Sequence, residues 1–475
     1  MLLKLSKFFL FASVFSVVVV MPSTFFPFIG GKYYFFRICV ELALVFFLLF
    51  WAFEDKLNLT KERFKTIYRH PVFIAVSLFV LCYLLAALFA YDMPSAFWSN
   101  YERGEGGFQM VHYYLFFLLL LLAFKEKKDW VNLFKFSIVS AILVILYGFL
   151  ADQGIVSRFI SSYAQGAPPT GFWNRLTSGR FQGSLGNPAY VAPYLMFALF
   201  YAAYLFFNSR EKIFKYGLII SSIFFLFFFY LSRTRGGLIG LGIAILLSLV
   251  WLFFKTSGQT KKIITYALLA VVAGGLFVSW VSFSLVPKCA TSNCSGFEKT
   301  LTQNRLLNFN FGEQTFKTRF WTWGSAWAGF KERPILGWGQ ENFSTVFDRH
   351  FNTNHYTPGT NSETWFDRAH SVVFDYLAET GILGFLSYLG MFIILFWQIF
   401  KKRVKALNLS LEPATLSDPS DSSRNTLVLS AALVIAMPVG YLIQGLALFD
   451  VLPIYINLFL FLSFATFLFI ENESR

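Results

Sequence analysis

Apolar stretches of roughly 20 residues recur along the whole chain, and connecting segments of different lengths separate them. A helix of that length crosses the hydrocarbon core of a bilayer, which is about 30 Å thick. The pattern predicts an all-α polytopic membrane protein with about twelve transmembrane helices. The predicted spans are residues 8–28, 35–53, 72–91, 109–124, 131–151, 188–207, 213–231, 236–254, 263–284, 382–400, 426–447 and 451–470.

The first apolar run follows Lys4 and Lys7, as the apolar part of a signal peptide would. It is long for such a peptide, and no small-x-small cleavage site follows it. We therefore interpret residues 8–28 as an uncleaved first span.

The composition agrees with a membrane protein, because 56% of the 475 residues are hydrophobic and only 14% are charged. The mean hydropathy is +0.57. The net charge of +14 would also suit a protein that binds nucleic acid. In a membrane protein, however, the positions of lysine and arginine are more informative than their number, because short cytoplasmic loops are enriched in both. We therefore predict membrane lipids, and no nucleic acid, as partners.

Basic clusters occupy every second connection between the predicted spans. The positive-inside rule places these connections and both termini in the cytoplasm. The long remaining connections, 92–108, 152–187 and 285–381, then face the exterior. The clusters are Lys56 to Arg69, Lys125 to Lys128, Arg210 to Lys215, Lys255 to Lys262 and Lys401 to Lys405. The predicted division is helices 1–9 in residues 1–284, a large external loop in residues 285–381, and helices 10–12 in residues 382–475.

Five aromatic residues of the large loop recur at spacings of four and three, which places them on one stripe of a helix. That helix should end before Pro334. Such a stripe is typical of a membrane anchor at headgroup depth, and it would also suit a wall for a lipid-borne substrate. The stripe consists of Phe316, Phe320, Trp323, Trp327 and Phe330.

The apolar stretch from His370 to Phe400 is too long for one span, because about 31 residues at 1.5 Å each would extend about 46 Å. We expect a break at Thr380-Gly381, where Gly381 takes the left-handed conformation that ends a short helix over residues 371–379. His370 then lies at the beginning of this short helix, outside the membrane core.

Two of the four cysteines, Cys289 and Cys294, lie in the large external loop with four residues between them. An oxidising exterior permits a disulfide there. Two unpaired thiols are an equal alternative, because close spacing alone does not establish the required geometry.

The external histidines are the first candidates for chemistry. Their spacings match no common metal-ligand pattern, and the external segments have no Asp-x-Asp pair, so we assign neither a metal nor another cofactor. The four histidines are His112, His350, His355 and His370.

Arg233 and Arg235 lie in the external connection between predicted spans 7 and 8, where positive charge is disfavoured. Phospholipid headgroups are one possible partner for them. We favour a diphosphate, because a planar guanidinium matches its oxygens and the neighbouring Gly236 and Gly237 would let the backbone come close.

Two more of the predicted external segments have a composition that suggests a local structure or a binding role. In the first, Asn187 is the expected N-cap and Pro188 the first-turn residue of a helix, which leaves Arg180 without a structural explanation. In the second, residues 333–339 are expected to form a turn after the aromatic helix.

These segments together resemble the superfamily of O-antigen ligases, O-antigen polymerases and bacterial O-oligosaccharyltransferases, over most of the chain. The most specific match is His370-Ser371, nine residues, Gly381, two residues and Gly384. The family pattern is His, then Asn, Ser or Gln, with the same spacing to two glycines.

Three other segments are similar to the family. Arg235-Gly236-Gly237 resembles its Ser-Arg-Gly hairpin, and residues 186–189 resemble its Gly-Asn-Pro-Asn segment, with alanine in the last place. Arg319 together with residues 334–339 is similar to its Arg, then His-Pro-x-x-Gly-x-Gly stretch. The ligases' Arg-x-x-x-Leu pattern ends in isoleucine here, which leaves open whether Arg233 or Arg235 is the central arginine.

The resemblance implies twelve spans with a long loop between spans 9 and 10, in agreement with the hydropathy pattern. It also implies a metal-independent glycosyltransferase in the bacterial inner membrane, with its active site at the periplasmic face. The donor would be a glycan on a polyprenyl (undecaprenyl) diphosphate. The acceptor would be a hydroxyl of the lipid A core, of another repeat unit or of a protein.

A diphosphate leaves without being protonated, so the reaction needs cations for the growing negative charge and a base for the acceptor hydroxyl. We assign His370 as the base and Arg235 as the main cation. Direct displacement by the hydroxyl would invert the anomeric carbon. Further substrate contacts are assigned to Arg233, Arg180, Arg319 and Asn187.

A transporter that flips a lipid-linked glycan is the alternative from a different class, since it too needs many spans and external basic residues. Such a protein is expected to show repeated halves and charged residues inside its spans. Neither is clear in this sequence, which favours the transferase.

Overall fold

The structure is a computed structural model that describes residues 1–55, 59–100, 104–155, 171–172, 179–291, 294–309, 314–356, 364–407 and 422–473. The regular elements of these residues are helices. They are α1 (Leu2–Ser13), α2 (Gly30–Phe53), α3 (Leu59–Tyr68), α4 (Pro71–Leu88), α5 (Met93–Trp98), α6 (Gly107–Ala123), α7 (Lys127–Asp152), α8 (Pro188–Asn208), α9 (Lys212–Leu231), α10 (Arg235–Lys255), α11 (Gly258–Trp280), α12 (Val286–Thr291), α13 (Gly296–Gln303), α14 (Gln314–Glu332), α15 (Phe343–Arg349), α16 (Val372–Leu407), α17 (Ser422–Gly445) and α18 (Leu452–Glu473).

Nine helical segments in the described part of the chain are long and apolar enough to cross a membrane. They are α2, α4, α7, α8, α9, α10, the continuous segment Gly258–Cys289, Val372–Lys401 of α16, and α18. The apolar helices Gly107–Ala123 and Ala431–Gly445 are shorter. The prediction of an all-helical, multi-pass membrane protein is confirmed, and the count of twelve spans stays a prediction.

The first predicted span, residues 8–28, is not one helix. A 3₁₀ turn (Val14–Val18) follows α1, and the chain then turns until α2 begins at Gly30. Pro22 and Pro27 account for this break, because proline lacks a backbone N–H and clashes with a preceding helical turn.

The last helix, α18, lies at the centre of the bundle, where its side chains are almost all buried. It packs against α6 and α8, while α16 lies along α4 and α10 lies along α17. In contrast, α9, α10 and α11 leave most of their apolar surface uncovered. A surface of that kind suits contact with lipid.

Charged side chains do occur inside α2, which corrects the expectation from the sequence. Arg37 donates from Nε to Oε1 of Gln109 at 2.7 Å, and Glu41 lies 3.0 Å from Nε2 of His112. Both partners belong to α6, so these groups join two helices.

Ion pairs and capping contacts mark the end of the bundle that the charge pattern predicts to be cytoplasmic. Lys7 pairs with Asp129 at 2.7 Å. Arg63 donates to the carbonyl oxygens of Leu121 and Phe124 at 2.6 Å each. These arginine contacts satisfy carbonyls at the C-terminal end of α6.

At the opposite end, the turn after α14 packs on the beginning of α16. The N–H groups of Trp338 and Gly339 donate to the carbonyl oxygens of Ala378 and Glu379, at 2.9 and 2.8 Å. The backbone N–H of Tyr91 donates to the carbonyl of Trp338 at 2.8 Å. The expected turn at residues 333–339 thus ties the large loop to the connection that follows α4.

The expected break in α16 is confirmed at Gly381, which has φ 62° and ψ −165° inside an otherwise helical segment. A Cβ atom at Gly381 would lie 2.4 Å from the carbonyl carbon of Ile335. Both the positive φ and this close approach require glycine.

The large loop also contains a disulfide between Cys289 and Cys294. This pairing decides between the two alternatives that the spacing left open. Cys39 and Cys82 are unpaired and buried.

Candidate functional site

The predicted aromatic helix is α14, which ends at Glu332 as expected. Its most deeply buried face carries small residues, and the aromatic stripe runs along its side. Phe320 and Trp327 are 54% and 47% exposed. The buried residues are Thr318, Thr322, Ser325, Ala326 and Gly329. Small residues let α14 lie close to its neighbours, while the exposed aromatics remain available to lipid or substrate.

Two aromatic residues of α14 contact the two groups of candidate residues, one of them beside His370 and the other beside Arg235. Trp323 donates from Nε1 to the carbonyl oxygen of Ala369 at 2.9 Å, and its ring stacks on Phe374 at 5.1 Å. About two helical turns earlier, the ring of Phe316 lies 6.0 Å from the guanidinium of Arg235. This helix therefore contacts both the arginine hairpin and the segment that carries the candidate base.

The arginine hairpin consists of residues 232–235, where the chain turns from α9 into α10. Within it, Arg233 has φ 48°, a left-handed conformation that is uncommon for a residue other than glycine. Arg235 is the first residue of α10. Its Nε donates to the carbonyl oxygen of Arg305 at 2.7 Å, and its guanidinium lies 5.9 Å from the ring of Phe309.

The glycines after Arg235 serve helix packing. A Cβ atom at Gly237 would lie 2.6 Å from the Cβ of Ala192 in α8. A Cβ atom at Gly240 would lie 2.5 Å from the carbonyl oxygen of Gly440 in α17. We expected glycines here to admit a diphosphate to the backbone. The structure packs Gly237 against α8 and Gly240 against α17 instead, whereas the contacts of Gly236 are ordinary, so the expectation stays a prediction for Gly236.

Arg180 fastens the hairpin to the beginning of α8. Its Nε donates to the carbonyl oxygen of Ser232 at 2.9 Å, and its Nη2 donates to Oγ1 of Thr234 at 3.1 Å. Thr234 donates in turn to the carbonyl oxygen of Pro188 at 3.0 Å. Asn187 is the N-cap of α8, as predicted, and accepts from the N–H of Ala189 at 2.8 Å.

Five arginines converge near this hairpin, and we call them the arginine cluster. Burial, together with the positive charges of the other four, lowers the pKa of Arg180 to about 10. Burial, Arg305 and Arg235 also lower the pKa of Arg319. Like charges in a partly buried space repel one another, and a bound anion relieves that repulsion. The members are Arg180, Arg233, Arg235, Arg305 and Arg319.

Sequence analysis missed one member, Arg305, which lies in a turn after α13. It belongs to none of the segments that resemble the family. The only available signal was its place in an external loop, where positive charge is disfavoured.

His370 lies immediately before the short helix, as predicted, and has φ 56°. Its ring is half-buried, with the rings of Phe366 and Phe449 at 5.4 and 5.2 Å. Its Nδ1 lies 3.1 Å from the carbonyl oxygen of Arg368. A carbonyl oxygen only accepts, so Nδ1 carries the hydrogen and Nε2 of the neutral ring has the lone pair.

The remaining external histidines have other surroundings. His350 pairs with Glu332 at 3.2 Å. His355 is fully buried beside the rings of Trp321 and Phe347, and burial lowers its pKa below the usual value. The ring of Phe366 separates His355 from the candidate base.

The arginine cluster and His370 are connected through two paths. Arg319 and Trp323 are one turn apart on α14, about 6 Å along the helix axis, and Trp323 contacts the residue before His370. On the other side, the ring of Phe449 lies 5.2 Å from His370 and 5.9 Å from Tyr190, in the first turn of α8. The site thus combines a positively charged region with an imidazole whose Nδ1 is bound to a backbone carbonyl oxygen.

In a comparison with protein families, residues 220–389 match the family model described as O-antigen ligase. The chain carries an O-antigen ligase domain. The resemblance recognised from the motifs is confirmed over these residues, and this domain supports a membrane glycosyltransferase of the O-antigen ligase and polymerase type. The ligase domain includes His370 and every member of the arginine cluster except Arg180, which precedes it together with Asn187. No curated protein is similar enough to the chain to count as a match.

Proposed function

We propose that the protein transfers a glycan from a polyprenyl diphosphate to an acceptor hydroxyl at the periplasmic face of the bacterial inner membrane. The observation that carries this proposal is the arginine cluster, which is connected through α14 to a histidine with a lone pair on Nε2. The cluster offers a site for a diphosphate, and the histidine offers a base.

The acceptor oxygen attacks the anomeric carbon as the bond between that carbon and the diphosphate oxygen breaks. The diphosphate leaves with the electron pair of that bond, and Nε2 of His370 takes the proton of the acceptor hydroxyl. Direct displacement inverts the anomeric carbon. A base placed in this way contributes about 10² to 10⁴-fold to the rate.

The arginine cluster stabilises the transition state because negative charge grows on the departing diphosphate. Arg235 has the most suitable position, since α10 begins with it and packing behind it limits its movement. Arg319 approaches from α14, and Arg305 from the turn beside Arg235. Arg180 also secures the hairpin, so its loss would affect both binding and positioning.

Asn187 has a smaller part in this proposal. Its side-chain oxygen already accepts the N–H of Ala189 and caps α8. The same cap fixes Pro188, whose carbonyl oxygen accepts from Thr234 in the arginine hairpin. We therefore propose that Asn187 contributes to substrate binding by fixing the end of α8 beside the arginine cluster.

Release of free polyprenyl diphosphate distinguishes a transferase from a flippase. Purified protein in detergent, supplied with both donor and acceptor, should release this product, and release should stop when the acceptor is left out. A flippase would release none, because it moves the lipid without breaking the glycosidic bond. Absence of release from folded protein with the glycans of its own cell would reject the transferase.

The acceptor is a separate question, for which we propose the lipid A core, with a repeat unit or a protein as alternatives. Mass spectrometry of the surface glycans in a deletion strain separates these possibilities. Loss of ligation leaves bare core, loss of polymerisation leaves single repeat units, and loss of protein glycosylation leaves the lipopolysaccharide unchanged.

A further inference from the structure

Arg368, two residues before the candidate base, is almost completely buried, and three carboxylates from different parts of the chain hold its guanidinium. Nη1 donates to both carboxylate oxygens of Glu379, at 3.0 and 2.8 Å. Nη2 donates to Oε1 of Glu341. It also donates to Oε2 of Glu105, at 3.4 Å. We call Arg368 and these three glutamates the Arg368 knot.

Each glutamate of the knot is itself held by its surroundings. Glu105, just before α6, accepts from the N–H of Leu452 at 3.1 Å and from the hydroxyl of Tyr33. Glu379 accepts from the N–H of Glu341 at 3.2 Å. Arg368 is therefore fixed relative to three helices, α2, α6 and α18, as well as to the large loop.

The backbone on the other side of Arg368 is fixed as well. The N–H of Ala369 donates to Oδ1 of Asp375 at 2.6 Å, and its carbonyl oxygen accepts from Trp323. His370 follows with a φ of 56°. A residue other than glycine keeps such a conformation only where the surrounding contacts impose it.

We propose that Arg368 is a positioning residue for the glycosyl transfer: the knot fixes the backbone carbonyl that holds Nδ1–H of His370, and thereby directs Nε2 toward the acceptor hydroxyl. This inference rests on the proposed function of His370 as the base. Arg368 itself does not touch the substrate.

Stability alone is a weak explanation for this knot. A buried ion pair loses so much hydration that apolar side chains of similar size often stabilise a protein equally well. Here a single guanidinium contacts three carboxyl groups, which is more than one ion pair requires. The contacts hold the segments around Glu105, Glu341 and Glu379 in one arrangement relative to Arg368. The positioning of a base requires such a fixed arrangement.

The decisive variant is Arg368→Lys, which keeps the positive charge but cannot direct five N–H donors toward three carboxylates. We expect kcat to fall about 10 to 100-fold, while KM for the donor changes by less than about threefold. In a His370→Ala background the same substitution should have almost no further effect on the residual rate. Arg349→Lys is the matched control, because Arg349 forms an exposed pair with Glu332.

Several outcomes would overturn the proposal. One is an equal loss of kcat in the presence and absence of His370, which would show an effect that does not pass through the base. Another is a rise in KM with an unchanged kcat. If Arg368→Lys fails to insert, Glu341→Gln replaces it, and a normal kcat in well-inserted Glu341→Gln would also reject the proposal.

If the proposed function itself is wrong, the same experiment gives a different result. Wild-type protein without transfer would reject the transferase itself. A His370→Ala variant with full activity would reject the base, whatever Arg368→Lys does. Normal wild-type transfer and an inactive His370→Ala variant, combined with additive losses, would reject the positioning role alone.

Discussion

Nδ1 of His370 lies 3.1 Å from the carbonyl oxygen of Arg368, two residues earlier in the chain. A neutral imidazole has one N–H, so this bond decides which nitrogen keeps its lone pair. The same short segment therefore leaves the lone pair on Nε2, which is the proton acceptor in the proposed reaction, and it includes Arg368, to which we assign the positioning of the ring.

Replacement of the base is the first prediction. His370→Ala should insert normally and lose about 10² to 10⁴-fold in kcat, because only a placed base is removed. The measurement is release of polyprenyl diphosphate by equal amounts of purified protein.

The other histidines of the large loop provide controls for this experiment. His350→Ala should retain nearly normal transfer, since His350 forms only a peripheral pair with Glu332. His355→Ala should lower thermal stability, because it leaves a cavity among aromatic rings, with mild loss of turnover in the folded fraction. Equal, severe losses in all three variants would contradict a unique base.

The arginine cluster allows charge and geometry to be separated at Arg235. Lysine keeps the charge and loses the planar fork, so Arg235→Lys should remain badly impaired if the side chain binds two diphosphate oxygens at once. We expect about 10² to 10³-fold loss in kcat for Arg235→Lys and for Arg235→Ala.

Arg233→Lys is the matched substitution in the same hairpin, and it should be the milder one. Membrane insertion must be equal in all variants, because a misplaced hairpin between α9 and α10 would also lower activity. Full activity of Arg235→Lys would reject a bidentate contact and leave only a general electrostatic role.

Topology reporters test which side of the membrane each loop faces, and the proposed mechanism depends on that orientation. Fusions at Ser257 and Pro419 should report a cytoplasmic position, and fusions at Gly166 and Thr357 an external one, because the basic clusters fix the orientation. Of these four sites only Ser257 lies within the residues that the structure describes. An external signal at Ser257 would place the arginine cluster on the wrong side.

The disulfide gives an independent measure of exposure to the exterior. In intact cells, Cys289 and Cys294 should resist alkylation until a reductant is added, because the two sulfurs are bonded. The buried Cys39 and Cys82 should stay unlabelled until the protein is denatured. Labelling of both loop cysteines without reductant would mean that the bond does not form in the cell.

Short-range patterns in the sequence were enough for most of the helices. The aromatic spacing predicted α14, the length of the apolar stretch required a break at Gly381, and Asn187 with Pro188 marked the beginning of α8. These features depend on neighbours within a few residues. The prediction of a first span over residues 8–28 was wrong. It followed the hydropathy of this stretch, whereas Pro22 and Pro27 prevent a single helix.

The sequence by itself indicated a multi-pass membrane protein that resembles the O-antigen ligases, with a histidine and a hairpin of arginines as candidate site residues. Only the tertiary structure added Arg305 to the arginine cluster and brought Glu105, Glu341 and Glu379 around Arg368. The physical reason is separation along the chain. Glu105 and Arg368 are 263 residues apart, so their contact depends on helix packing that no local pattern records.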